Sequence, residues 1–263
     1  MGRRTPAEFR GTCILAVETP TGVGGMKIVA ITTSTPASSV ALADGLTVVA
    51  SAENVNARGH ADFVVAALDF CMRTAKWSPD EIESVVVDVG PGLYTGIRVG
   101  VSVAQGIGAS VGAQVAAASS LDALALRAAT GRRRIFPVVD VRRGEVAIAG
   151  YSPLPGGVVR DHPVELTTPE RLVAMLSTHR QETLLVGDIP ALGKGALAGL
   201  RGVRVGRPRY PTAEALAEAG LGVLERGEAP HPDSVRPQYL RDADVNINWR
   251  RLRSRFYPPV DNG

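Results

Sequence analysis

One helix constrains this chain more than any other segment. An apolar run, Val85-Val86-Val87-Asp88-Val89, is stopped by Gly90-Pro91-Gly92, and the pattern predicts a helix over about 95–111 directly after it. Within that helix Gly96, Gly100, Ala104 and Gly108 fall four apart, so they share one face. A glycine inside a helix costs about 1 kcal/mol relative to alanine. Three on one ridge must be compensated, and close approach of another segment is the obvious means. The same geometry serves helix pairs in membranes, but this segment is short and carries Arg98, so membrane insertion is not expected. Periodicity admits two coverings for the ridge: the chain's own interior, or a second protein.

A helix predicted at about 60–76 sharpens the question. Its polar residues Asp62, Asp69, Arg73 and Lys76 form a narrow stripe, while Phe63, Val64, Val65, Leu68, Phe70, Cys71 and Met72 cover nearly everything else. An apolar surface that wide suits a helix covered on two sides. Three strand-like runs precede it, at about 27–33, 38–43 and 46–52, and Asp44-Gly45 marks a hairpin between the last two. A short strand at 114–118 and a helix opening at Ser119 or Ser120 follow the glycine-bearing helix. Three strands and then alternating helices and strands imply a mixed sheet with helices on its faces. This order resembles the ribonuclease-H-like fold of the actin, sugar-kinase and Hsp70 superfamily.

The chain's 263 residues suit one large domain or two small lobes. The pattern divides them into an N-terminal extension or tag at 1–25, a first ribonuclease-H-like lobe at 26–131, a second, degenerate lobe at 132–228 and an irregular basic tail at 229–263. Gly22-Val23-Gly24-Gly25 reads as a linker before a start at Met26, although 14–19 has the look of a short strand. Strands are expected at 135–140, 145–151, 157–165 and 183–187, with helices at 169–179 and 212–226. The latter helix is free to pack back on the first lobe. The tail's Trp249-Arg250-Arg251-Leu252-Arg253-Ser254-Arg255-Phe256-Tyr257 reads either as a solvated tail or as a contact for RNA or an acidic partner.

Composition removes several functions. Cys13 and Cys71 are the only cysteines, so neither a disulfide framework nor a zinc knuckle is indicated, and a reducing cytoplasm is the plain expectation. No apolar run reaches the roughly 20 residues that span a bilayer. Aromatics are 5% of the chain, too few to suggest a base-stacking surface, and a net charge of +3 permits an RNA partner without demanding one. His60, His162, His179 and His231 are scattered, and no Walker-type Gly-x-x-x-x-Gly-Lys-Ser/Thr is present. Ser34, Ser38 and Ser39 have no histidine near them in sequence.

The turn at Gly90-Pro91-Gly92 has its own logic. Proline fixes one torsion, and the glycines permit a tight strand-to-helix reversal. Thr95 is placed to cap the helix, and N–H groups at such a start can hold an anion. Either an anion contact near 92–96 or a turn serving packing alone fits these residues.

Gly90-Pro91-Gly92-Leu93-Tyr94-Thr95-Gly96-Ile97-Arg98 resembles the signature of the TsaB (YeaZ-like) family, usually Gly-Pro-Gly-Ser-Phe-Thr-Gly-Leu-Arg; Leu93 and Tyr94 are mild departures. Thr33-Ser34-Thr35 with Ser39-Val40-Ala41-Leu42 is similar to that family's first hairpin, and His60 opens its first helix. Pro237-Gln238-Tyr239-Leu240-Arg241 is similar to its C-terminal Pro-x-Tyr-Leu-Arg. The resemblance implies a cytoplasmic, non-catalytic scaffold in the synthesis of threonylcarbamoyladenosine in tRNA. It would dimerise alone, pair with the transferase TsaD through first-lobe helices, recruit the ATPase TsaE through that pair, and meet tRNA only through the complex. His60, Phe63, Val64, Leu68, Thr95, Gly96, Arg98, Gly100, Ala104 and Gly108 would face the partner. No catalytic residue, metal or intrinsic cofactor is implied; ATP or ADP would sit at the junction, with Gly90, Gly92 and Thr95 as its phosphate contact. TsaD's His-x-x-x-His is missing, since Val64 stands four after His60, and Thr32 occupies the position where the superfamily's kinases place a metal-binding aspartate. The alternatives are a nucleotide-dependent phosphotransferase or ATPase, or a peptidase, of the same superfamily.

Overall fold

The computed structural model describes residues 13–15, 25–129, 131–178 and 181–240. Its first part runs β1 (Cys13–Leu15), β2 (Lys27–Thr32), β3 (Ala37–Asp44), β4 (Thr47–Val55), α1 (His60–Ala75), β5 (Ser84–Asp88), α2 (Tyr94–Val111), β6 (Gln114–Ala118) and α3 (Ser120–Ala128). The second part runs β7 (Arg134–Asp140), β8 (Val146–Leu154), β9 (Gly157–Thr167), α4 (Pro169–Thr178), β10 (Thr183–Gly187), β11 (Val203–Val205) and α5 (Ala213–Glu225).

Local chemistry sets several of these boundaries. Asp44 pairs with Thr47 across a two-residue turn, in which Gly45 takes φ 59°. An L side chain rarely adopts that conformation, which is why Asp44-Gly45 signals a hairpin. Lys76 ends α1 in the left-handed region, its N–H bonding back to the Arg73 carbonyl. Ser119 caps α3, its hydroxyl accepting from Leu121 N–H.

The first sheet has the order β4-β3-β2-β5-β6. Its hairpins are antiparallel, whereas β2–β5 and β5–β6 are parallel. The second sheet repeats this arrangement as β9-β8-β7-β10-β11, with β1 added antiparallel to the outer edge of β9. Two such sheets flanked by helices make the molecule ribonuclease-H-like. The second lobe departs in its helices. The first lobe inserts α2 between β5 and β6, but β10 and β11 are joined by a 3-10 turn at Ile189–Leu192 and irregular chain. The three-residue β11 carries no long apolar run, so the sequence pattern passed over it.

Side chains alternate across a strand, and both faces of the first sheet are covered. Val29, Ile31, Val85 and Val87 pack under α1 and α2. Ile28, Ala30 and Val86 pack under α5 through Leu216 and Leu221. This explains why β2 and β5 read as continuous apolar runs rather than alternating ones. On the second sheet, α3 covers Ile135, Val139 and Ala149, while α4 meets Phe136, Val138 and Ile148 on the opposite face. Fully buried Tyr151 donates its hydroxyl to Asp122 of α3 at 2.6 Å, and Arg160 bonds the same carboxylate at 2.5 Å, pinning α3 to its sheet. Helices α3 and α5 touch each other and so lie between the sheets.

The strand sensed at 14–19 is present in part, as β1. Among the described residues, no helix is long and apolar enough to cross a membrane. The basic segment 249–257 and Arg241 lie outside the described residues.

Candidate functional site

The site is organised around Asp88, which ends β5 beside the end of β2. Parallel pairing of Ile31 with Val87 carries Thr32 level with Asp88. The carboxylate is fully buried and accepts from Thr32 Oγ1 at 2.6 Å, Ser34 Oγ at 2.5 Å and Gly90 N–H at 2.8 Å. Burial pushes its pKa up to about 6, against the opposing pull of those donors. Thus Asp88 ties the β2–β3 turn to the glycine loop that starts α2. In the sequence Asp88 reads as a strand residue, because only the pairing of β2 with β5 reveals its neighbours.

The loop then docks on the same turn. Gly90-Pro91 is a cis peptide, and Ser120 donates its hydroxyl to the Pro91 carbonyl at 2.6 Å. Leu93 N–H donates to the Ser34 carbonyl at 2.6 Å. A Cβ on Gly92 would lie 2.1 Å from that same carbonyl oxygen. One on Gly96 would lie 2.0 Å from the Thr33 carbonyl oxygen, and one on Gly100 2.6 Å from Thr33 Oγ1. Thr33 completes the contact by donating its hydroxyl to the Gly96 carbonyl at 2.7 Å.

These distances correct the expected partner face. Gly96, Gly100, Ala104 and Gly108 are buried against the chain's own β2–β3 turn, β5 and β6, so the ridge is not presented outward. Val64 is core. His60 is only 7% exposed, with its Nδ1 2.6 Å from Ser38 Oγ. Phe63 and Leu68 are half-buried, while Thr95 and Arg98 are exposed. Nor does Thr95 cap α2. The helix begins one residue earlier, at Tyr94, and its cap residue Leu93 has no side-chain acceptor to offer the first-turn N–H groups; its own N–H donates to the Ser34 carbonyl.

The outward surface is different. Val65 of α1 is 61% exposed and Phe70 54%. Beside them α2 turns Ser102, Gly106, Ala109 and Ser110 to solvent. A flat, small-residue helix face next to exposed apolar side chains is one that another helix can approach closely.

Between the lobes lies a cleft of about 1060 Å³, lined on one side by His60 and 91–99 and on the other by Val141, Arg142 and Arg143 of the β7–β8 turn. Arg142 and Arg143 occupy the left-handed region at φ 67° and 59°, and Asp140 holds the turn by accepting Arg142 N–H at 2.7 Å. The C-terminal segment crosses the cleft mouth. Gln238 N–H donates to the Val89 carbonyl at 2.7 Å, and Tyr239 stacks on Tyr94 at 4.9 Å. Arg98 lies over the Tyr94 ring and donates to Tyr239 Oη at 2.8 Å. The sequence motifs at 90–98 and 237–240 therefore form one structure. Arg58 also lines the cleft, giving it a cationic wall against a helix start, a setting suited to an anion.

Ser38 and His60, 22 residues apart in sequence, are paired by the fold. Ser38 is 2% exposed and touches the ring through Nδ1, and among the described residues no carboxylate is hydrogen-bonded to His60. Burial also lowers the His60 pKa. A hydroxyl that no substrate can reach serves packing rather than acyl transfer. Among the described residues, no three His, Cys, Asp or Glu side chains converge as a metal-ligand set.

Fold and site together define a two-lobed ribonuclease-H-like protein whose glycine-loop helix is locked to its first hairpin. Residues 48–173 match the family model described as TsaD, tRNA N6-adenosine threonylcarbamoyltransferase. The chain is 27% identical to the Bacillus subtilis (strain 168) tRNA threonylcarbamoyladenosine biosynthesis protein TsaB, over 85% of this chain and 98% of that one. It is 29% identical to the Escherichia coli (strain K12) protein of the same name, over 86% and 98%. A Pseudomonas aeruginosa structure described as similar to the peptidase YEAZ superposes with TM-score 0.73 at 27% identity, covering 82% of this chain and all of that one. YeaZ from the same organism superposes with TM-score 0.69 at 24% identity, with the same coverage. In sequence and in fold, the chain is therefore similar to the proteins named TsaB and YeaZ.

Proposed function

We propose that this chain is a non-catalytic, cytoplasmic subunit in the synthesis of threonylcarbamoyladenosine in tRNA, and that it works by docking on a TsaD-type transferase. The relatives' names supply the process. The observation that carries the docking is the outward face of the first lobe, with Val65 and Phe70 exposed on α1 beside the small-residue face of α2. Folding leaves these two large apolar side chains uncovered, although Val64, Ala67 and Cys71 of the same helix are buried. Two chains of this protein meet through the same face when no partner is present, and the TsaD-bound pair recruits the TsaE-type ATPase. The cleft beside 91–99 offers ATP or ADP a place near that junction. Gly92 and Thr95 line it, while Gly90 shapes the loop behind it.

The peptidase alternative gains nothing from the Ser38–His60 contact, because His60 borders the cleft but the Ser38 hydroxyl is buried behind it. The test is light scattering after size-exclusion chromatography, with the TsaD homologue from the same cell. Phe70→Glu should weaken the pair by at least about thirtyfold, as expected for an anchor worth about 2 kcal/mol. The residue is half exposed, so the variant stays folded. Undiminished association of a folded variant would remove α1 from the interface.

A further inference from the structure

A second cleft, of about 630 Å³, opens at the edge of the second lobe on the side of β10 and β11, and is lined by Arg127, Arg133, Arg207, Arg209, Tyr210 and Glu53 among others. We propose that this arginine edge binds the phosphate backbone of RNA, so that the chain itself holds part of the tRNA. The RNA class rests on the function proposed above; the site does not.

The positive charge here is built by the fold. Register pairs Leu184 with Arg204, and Leu184 lines the cleft, so Arg204 lies on the cleft's face of the sheet. Strands β7, β10 and β11 start level, with Thr183 opposite both Arg134 and Val203, so Arg133 and Arg201 emerge at the same end. Little neutralises them. Arg127 donates to the Tyr210 carbonyl at 2.6 Å, which leaves its charge intact. Arg133 meets Glu182 at 3.1 Å, but both are exposed and such pairs are weak. Arg209 reaches Asp188 only at 3.7 Å. Among the described residues, Arg201, Arg204 and Arg207 have no carboxylate partner, and Glu53 is the one acid on the cleft wall.

The ligand class follows from what lines the cleft. Guanidinium forks suit phosphate oxygens. The single aromatic, Tyr210, already lies under Arg209 at 5.0 Å, so base stacking is poorly served and backbone contact is favoured. An acidic protein partner would need apolar anchors at the interface centre, and Leu184 is the only large aliphatic side chain in the wall.

The test uses the full chain and a fluorescent, unmodified tRNA transcript, with anisotropy read at several salt concentrations. Arg204→Gln with Arg207→Gln should weaken binding about tenfold and reduce the slope of log K against log salt by about 1.5–2, the share of two phosphate contacts. Glu53→Gln should tighten binding a few-fold, a gain that damage to folding cannot mimic. Equal affinities and slopes for wild type and both variants would overturn the proposal, as would tighter binding to a polyglutamate peptide than to tRNA. Association with the TsaD homologue is measured on the same proteins. Normal pairing with unchanged RNA binding overturns this inference alone, whereas a wild-type chain that never pairs overturns the function above and leaves the RNA result standing.

Discussion

Asp88 is fully buried, and three donors converge on its carboxyl group. Burial outweighs them and raises its pKa to about 6. The sign of the pH effect follows. The folded value lies above the ordinary carboxylic value near 3.9, so the fold prefers the protonated acid. That preference contributes fully below about pH 4 and is lost as pH rises through 6, a change of at most about 3 kcal/mol for a shift of this size. Asp88→Asn resembles the protonated acid, and the Thr32 and Ser34 hydroxyls can rotate to accept from its amide. The variant should therefore keep its fold and lose less melting temperature than wild type between pH 4.5 and 7.5. Parallel melting curves for the two proteins would mean that Asp88 is ionised without cost. At this scale the sequence conceals the chemistry, because Thr32, Ser34 and Asp88 are joined only by the pairing of β2 with β5.

Helix α2 shows what periodicity can and cannot tell. Spacing by four correctly grouped Gly96, Gly100, Ala104 and Gly108 on one face and demanded a close neighbour for it. It could not say which neighbour, since a carbonyl of the same chain and the helix of another satisfy the same pattern. The neighbour is the β2–β3 turn. The outward stripe, Ser102, Gly106, Ala109 and Ser110, also repeats by four at 102, 106 and 110, but it holds a single glycine and so carries less helix-propensity cost to signal a close neighbour. Similarly, Arg142 and Arg143 read as turn residues until the fold brings their hairpin opposite the start of α2. Two glycines of this one helix should respond oppositely to alanine. At Gly96 the new methyl would sit 2.0 Å from a backbone oxygen, so overpacking should exceed the roughly 1 kcal/mol of helix propensity gained and leave a net loss of about 2 kcal/mol. At Gly106 nothing lies within 4 Å, so Gly106→Ala should gain up to about 1 kcal/mol. Urea unfolding of both variants measures this, and equal signs would refute the inward packing of the ridge.

The two lobes meet through α3 and α5, and this makes the molecule sensitive to a single interior glycine. Gly220 of α5 rests on Val86 in the middle of the first sheet, and its Cβ would lie 2.4 Å from Val86 Cγ1 and 2.6 Å from Cγ2. The next residue back, Ala219, packs against the cores of both lobes. Pushing α5 away from Val86 therefore presses it towards the second lobe. Valine is stiff at χ1, so it cannot rotate aside cheaply. Gly220→Ala should lower the stability of the whole chain by about 1–2 kcal/mol despite the better helix former. Val86→Ala should be destabilising by itself through the cavity it leaves. Together the two changes should cost less than their sum by about 1 kcal/mol or more, because the methyl added at 220 fills the space vacated at 86. Calorimetry on the four proteins decides the matter. One transition moving as a unit, with a favourable coupling in the double variant, is the expected outcome. A first lobe that melts separately, or strict additivity, would show that α5 does not hold the lobes together.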